Sequence, residues 1–260
     1  MIRIGICSPM DAFETVAQMG FDYMETGLVP LYRLSDEDFS RMCERVDRAP
    51  IRIEAFNGML PGTLPVTGPN VDGDALDEYL EKSFARARRL GAEVVVFGSG
   101  AARNVPAGFP IDEAWRQLFD FLKRAGAHAE AHDLTIAIEP LCRPECNILN
   151  LVSEAAALAS ILNAPRVRTL ADTFHMAVSA EPASALTLYG PQLAHVHTAN
   201  PAGRLCPEPD DGEDYEALLR ALKDGGYDAR VSIEGVVKPF EEKALLGLQA
   251  LDRARRAVWG

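Results

Sequence analysis

Short apolar runs alternate along this chain with longer stretches in which apolar residues recur every three or four positions. Residues 2–7 (IRIGIC) read as a strand, and 11–19, led by Asp11, as a helix. Gly20 stands where that helix should stop, and Phe21–Glu25 make the second strand. Residues 35–46 open on a capping serine, carry acids in the first turn and end basic, the charge order a helix dipole favours. Residues 51–56 (IRIEAF) are a third strand, and the Gly- and Pro-rich stretch 57–73 is a loop of the length that compact domains use for function. A helix over 74–90 stopped by Gly91, a strand over 93–100 with a glycine-rich exit and a long helix within 111–132 follow. The rhythm then repeats: strands at 134–139, 167–172, 193–198 and 230–235, helices at 153–162 (capped by Ser153), 182–189, 213–223 and 240–258.

Eight strands alternating with helices predict one parallel sheet, and the count favours a closed (β/α)8 TIM barrel over an open sheet. No GxGxxG follows the first strand, so a dinucleotide fold loses its usual support. The 260 residues suit a single domain, 1–260, with no linker or repeat. In such barrels the working residues stand where strands end, on the carboxyl face. The loops 57–73 and 99–110 should lie on that face and help to cover the site.

Charge narrows the partners. A net charge of -12 opposes binding to phosphate backbones, so nucleic acid is not expected. The chain is 48% hydrophobic but has no apolar run of membrane-spanning length, so no membrane association is expected. The start MIRIGICSPM lacks the pattern of a secretory signal, and five scattered cysteines (7, 43, 142, 146, 206) do not form a disulfide framework. A cytoplasmic location is the expectation.

Four of the later strands end on a metal-type ligand: LTIAI at Glu139, VRTLAD at Asp172, LAHVH at His197 and VSI at Glu234. A carboxylate closing an apolar strand is costly to bury unless a cation or proton accompanies it. Three carboxylates with one imidazole suit Mn²⁺, Mg²⁺ or Co²⁺ in preference to zinc. His195 lies on the same side of its strand as His197 and one layer deeper, and reads as a hydrogen-bonded interior histidine. His175, on the loop after Asp172, is placed to touch a ligand at the metal. His128 and His132 read as helix-end charges, and Cys142, Cys146 and Cys206, lacking CxxC spacing, as free thiols. Arg103 and Arg143 are as well explained as surface charges, whereas Arg204 gains weight from following His197. Gly98 and Gly100 either bring backbone near a ligand or make a plain turn.

IEPLCRPECNILN, LADTFHM, HVHTANPAGR and SIEG together resemble the sugar isomerase/epimerase superfamily of xylose-isomerase-like barrels, nearest in motif to ketose 3-epimerases and hydroxypyruvate isomerases. The likeness covers about the C-terminal half. It implies that Glu139, Asp172, His197 and Glu234 bind one divalent metal ion, that Glu145 and His175 contact substrate, and that Arg204 does so as well. The chain departs from the epimerases in carrying Ala199 and Asn200 after the strand-seven histidine, with Arg204 seven residues beyond it. It departs from the isomerase branch at His197, where glutamine is usual, and Cys142 stands where asparagine is common.

The resemblance implies a metal-dependent enzyme, manganese being one suitable ion, that isomerises or epimerises a small sugar next to its carbonyl through an enediolate. Glu139 and Glu234, on opposite sides of the sugar, would exchange the proton as base and acid. A phosphate site would need glycine-rich loops after strands seven and eight. The strand-seven loop instead carries five acidic residues between 201 and 215, so an unphosphorylated ketose or aldose is expected. Phe13, Phe56, Met59 and Trp115 are available as apolar walls. Competing readings are a hydroxypyruvate isomerase-like enzyme in which Arg204 grips a carboxylate, a keto-polyol dehydratase, and a catalytically idle sugar-binding barrel. An AP endonuclease would need more histidine and a basic face. Related barrels often pair, which makes a homodimer the expectation.

Overall fold

The computed structural model describes all 260 residues. Eight parallel strands close in chain order: β1 (Arg3–Cys7), β2 (Tyr23–Gly27), β3 (Ile53–Asn57), β4 (Val94–Phe97), β5 (Thr135–Ile138), β6 (Val167–Asp172), β7 (Leu193–Thr198) and β8 (Arg230–Ile233), which pairs back with β1. Closure leaves no open sheet edge. The helices are α1 (Phe13–Met19), α2 (Leu28–Arg33), α3 (Asp36–Arg48), α4 (Gly73–Arg89), α5 (Gly100–Arg103), α6 (Ile111–Ala131), α7 (Val152–Leu162), α8 (Thr173–Val178), α9 (Ser184–Tyr189), α10 (Tyr215–Asp224) and α11 (Phe240–Trp259). No helix is long and apolar enough to cross a membrane. The expected (β/α)8 barrel is the observed one.

Local chemistry explains most boundaries. Ser35 caps α3 by accepting from the Asp38 N–H at 3.0 Å, and Gly20 ends α1 at φ 92°. Two starts differ from expectation. A 3-10 turn over Met10–Ala12 precedes α1, so Asp11 lies in that turn rather than at the helix start. Ser153 is not the cap of α7: the Glu154 carboxylate closes that end, accepting from the Asn150 N–H at 2.6 Å and the Leu151 N–H at 3.3 Å. A glutamate reaching back outcompetes a serine already inside the first turn. The short helices α2, α5 and α8 were not legible, because four to six residues carry no measurable apolar period.

One large apolar cluster fills the layer between barrel and helices, and a smaller one, with Tyr23, Val94, Val96 and Leu170, fills the barrel interior. Gly5 makes the inner layer possible, since a Cβ there would overlap the Tyr23 ring. Phe13, Phe56 and Met59 are fully buried in the large cluster and Trp115 packs against it, so they serve the core rather than the expected walls. The 58–72 loop is tied to the exit of β4: Leu60 N–H donates to Ser99 Oγ at 2.9 Å and Val66 N–H to the Ala102 carbonyl at 2.8 Å.

Candidate active site

The four strand-end residues meet at the carboxyl mouth. Glu139 and Glu234 directly follow β5 and β8, and their N–H groups donate across to Phe97 O at 3.2 Å and Thr198 O at 3.0 Å, which fixes both Cα positions. Asp172 closes β6, and His197 is the penultimate residue of β7. His197 Nδ1 lies 3.2 Å from Glu139 Oε1, 3.3 Å from Glu234 Oε2 and 4.0 Å from Asp172 Oδ2. One ligand atom from each of the four falls within 4.8 Å of all the others. Gly98 gives Glu139 its space, since a Cβ there would collide with the carboxylate.

The electrostatics are those of crowded acids. Burial, followed by repulsion from Glu234 and Glu139, pushes Asp172 up to about 8. Burial and then Glu234 also raise Glu139. Glu234 is only partly buried; desolvation would raise it, yet the His197 imidazole and Arg204 overcome that and hold it down at about 2. For His197, burial is outweighed by Glu25 and Glu234, and its pKa stands well above the usual imidazole range. Three carboxylates, two of them buried and Glu234 partly so, face one imidazole nitrogen and form a donor set whose excess negative charge a hard or borderline dication would balance. The residues present therefore fit such an ion.

Around this cluster stand the three residues expected to touch substrate. Arg204 Nη2 donates to Glu234 Oε2 at 2.5 Å and lies 3.5 Å from Asp172 Oδ2, while Nη1 reaches Glu145 Oε1 at 3.4 Å. Its guanidinium also stacks on Phe174, 4.9 Å from the ring centre. His175 is not on a loop: Asp172 caps α8, accepting from Phe174 N–H at 2.7 Å and His175 N–H at 3.3 Å, and this cap aims the imidazole. The Cys142 N–H donates to His175 Nδ1 at 3.2 Å, which places the ring proton on Nε2. Nε2 is buried without a hydrogen-bond partner, 3.7 Å from Asp172 Oδ2 and 3.9 Å from Glu145 Oε2. Burial and then Arg204 depress this imidazole to about 3, so it stays neutral, a donor with nothing yet to donate to. Cys142, Glu145 and His175 come together as well, but an N–H-bearing Nε2 offers no lone pair to a metal.

Other readings from the sequence sort cleanly. All five cysteines are free. Arg143 is exposed, whereas Arg103 is not a surface charge: it is fully buried and donates to Phe97 O at 2.8 Å and Glu139 O at 2.6 Å, strapping β4 to β5 beneath the site. Gly100 sits against the Glu145 carbonyl, leaving no room for a Cβ. His128 and His132 face Asp77 and Glu81 on α4, away from the mouth. His195 is interior and hydrogen-bonded, as expected, to Glu25 Oε2 at 2.7 Å. Sequence reasoning missed Glu25 itself and Asn57, whose Nδ2 donates to Glu234 Oε1 at 3.3 Å. Asn57 ends β3, whereas Glu25 lies midway along β2 and closes only the shorter apolar run, 21–25, expected from the sequence; those positions were the available signal.

Comparison with known proteins agrees in kind. The model of the family described as xylose isomerase-like TIM barrel matches residues 13–254. The chain is 24% identical to a fructoselysine 3-epimerase of Escherichia coli O157:H7 over 208 residues, covering 74% of this chain and 76% of that protein. It is 25% identical to a D-psicose 3-epimerase of Agrobacterium fabrum over 235 residues, 86% of this chain and 78% of the relative. The crystal structure of the apo form of an E. coli 3-keto-D-glucoside 4-epimerase superposes with a TM-score of 0.81 at 19% identity, covering 98% of this chain and all (100%) of that one.

Proposed function

The chain belongs to the xylose isomerase-like TIM barrels, and from that membership we propose a single-domain, divalent-metal-dependent sugar epimerase or isomerase acting next to a carbonyl. It is an enzyme of the isomerase class. One observation carries the reading: the four-ligand cluster shares a mouth with an unpartnered N–H on His175 and with the side chains of Arg204 and Glu145. Glu139, Asp172, His197 and Glu234 would hold the ion, Mn²⁺, Mg²⁺ or Co²⁺ by donor type. When bound, the dication lowers the cost of negative charge on the substrate's adjacent carbonyl and hydroxyl oxygens.

The chain's own residues do the rest. Arg204 and Asn57 hydrogen-bond the Glu234 carboxylate and favour its ionised form, which suits it to take the proton from carbon first. Glu139 Oε2 packs against Gly98 on the other wall and is suited to return a proton. Return to the other face of the same carbon inverts it; return to the neighbouring carbon moves the carbonyl. His175 Nε2–H donates to a substrate oxygen, and Glu145, partly exposed beside Arg204, accepts from a hydroxyl at the rim.

A neutral polyhydroxy ketone or aldose is the better substrate class. Arg204 is already shared among Glu234, Asp172 and Glu145, so it does not present a free fork to a substrate carboxylate. The segment after β7 places Glu208, Asp210, Asp211, Glu213 and Asp214 together, and Lys243, which approaches from α11, is paired with Glu208 at 2.7 Å. That charge repels a phosphate. The test is a panel of free ketoses, their phosphates and hydroxypyruvate, followed by NMR in D2O for exchange of the carbon-bound proton. Exchange on free ketoses is expected. Turnover confined to phosphorylated sugars would overturn the neutral-substrate reading, and turnover of hydroxypyruvate alone would move the chain to the isomerase branch. A homodimer stays part of the proposal, and light scattering showing a monomer would remove it.

A further inference from the structure

One fully buried ionisable group in the barrel has no task in the proposed chemistry. Glu25, on β2, has no exposed surface and lies behind His197 as seen from the mouth. Its two oxygens are divided between two histidines: Oε1 is 2.9 Å from His197 Nε2 and Oε2 is 2.7 Å from His195 Nε2. His195 is in turn 3.2 Å from Ser232 Oγ, and Ser232 Oγ is 2.7 Å from the Tyr23 hydroxyl. The two imidazole rings meet edge to face at 85°, with centres 5.0 Å apart.

We propose that Glu25 is a positioning residue for the cation site, holding His197 as the Nε2–H tautomer so that the Nδ1 lone pair faces Glu139, Asp172 and Glu234. The inference rests on the four-ligand reading and adds to it the reason that His197 can serve as a ligand. An ionised carboxylate only accepts hydrogen bonds, so a Glu25 oxygen at 2.9 Å requires a proton on His197 Nε2. The other nitrogen is then free of its proton when a cation occupies the mouth. Packing gives no reason for a carboxylate here. A buried charge without such a task is costly, and an apolar side chain of similar volume would fill the space at less expense. His195 completes the support by occupying the second oxygen, and Ser232, backed by Tyr23, holds His195 in turn.

Glu25→Gln separates this role from simple packing. The amide keeps the size but has one acceptor and one donor, so it satisfies one Nε2–H and confronts the other. Relief at His197 moves its proton to Nδ1, into the cation site. Calorimetric titration with Mn²⁺ is expected to show binding about 10- to 100-fold weaker in Glu25→Gln than in wild type. The visible absorption of the Co²⁺-loaded variant should change as well. His195→Gln leaves the Glu25–His197 contact in place and should bind Mn²⁺ nearly as wild type does. Melting in EDTA establishes that each variant is folded. Equal Mn²⁺ affinity in folded Glu25→Gln overturns the positioning role while leaving the four-ligand reading intact. Wild type that takes up no Mn²⁺ removes both. Should Glu25→Gln not fold, ¹⁵N NMR of Zn²⁺-loaded wild type decides: a protonated Nε2 on His197 is expected, and an unprotonated one overturns the proposal.

Discussion

The two mouths of the barrel are built from the same residue types to opposite ends. At the amino mouth charges are matched: Glu54 sits between Arg3 at 2.5 Å and Arg230 at 2.7 Å, Arg230 also reaches Glu93, and Asp133 joins Arg88 at 2.8 Å to Arg166 at 2.7 Å. At the carboxyl mouth Glu139, Asp172 and Glu234 crowd one another, with Arg204 and His197 as the cationic partners, and Asp172 is driven up to about 8 by burial and its neighbours. Matched charges around a barrel end hold strands in place. Unmatched ones store a cost that only a ligand relieves, the pattern expected where stability has been exchanged for function.

The largest effects should come from the carboxyl mouth and leave the fold alone. Chelation is expected to abolish turnover, with Mn²⁺, Co²⁺ or Mg²⁺ restoring it. Glu139→Gln and Glu234→Gln should each lower kcat by ~100-fold or more. The unfolding midpoint of Glu139→Gln in EDTA should match or exceed wild type, since it removes a crowded charge, whereas Glu234→Gln, which loses the charge that His197 and Arg204 stabilise, should melt somewhat lower; steady-state kinetics and calorimetry check the two halves of the claim. Arg204→Ala comes next, with kcat/KM reduced about 10- to 100-fold, as charge-assisted hydrogen bonds of this kind contribute. Unchanged kcat/KM would remove Arg204 both from substrate binding and from the support of Glu234.

The amino mouth should show the reverse. Glu54→Gln removes the carboxylate shared by Arg3 and the buried Arg230, which keeps only Glu93, at a cost of about 2 kcal/mol, or a midpoint lowered by roughly 5 °C, with kcat per folded molecule unchanged. A comparable loss of activity at constant stability would break the comparison. The smallest effect is a pH dependence. An acid whose folded pKa lies above its unfolded value contributes stability at low pH and loses it as pH rises through the folded value. Asp172, at about 8 in the fold, should therefore make the cation-free protein melt lower at pH 9 than at pH 6. Asp172→Asn should narrow that gap, and a gap of the same size in the variant would assign it elsewhere.

Much of this was legible in the chain itself. Apolar runs of strand length, alternating with helical periods, determined a (β/α)8 barrel because a parallel sheet buries both faces and needs a helix between strands. The positions of Glu139, Asp172, His197 and Glu234 were readable for the same reason: a charge ending an apolar strand has few places to go but the mouth. Distances across the barrel were not readable, because Glu25 and His197 stand 172 residues apart and meet only when β2 and β7 share one interior. Arg103 looked like a surface charge because its partners are backbone carbonyls, which no sequence pattern marks. The tautomer of His175 depends on one N–H of Cys142, and the sharing of Arg204 on three carboxylates from different strand ends and loops. Local periodicity decides which elements form, while closure of the barrel alone decides which charges meet and which nitrogen of each imidazole keeps its proton.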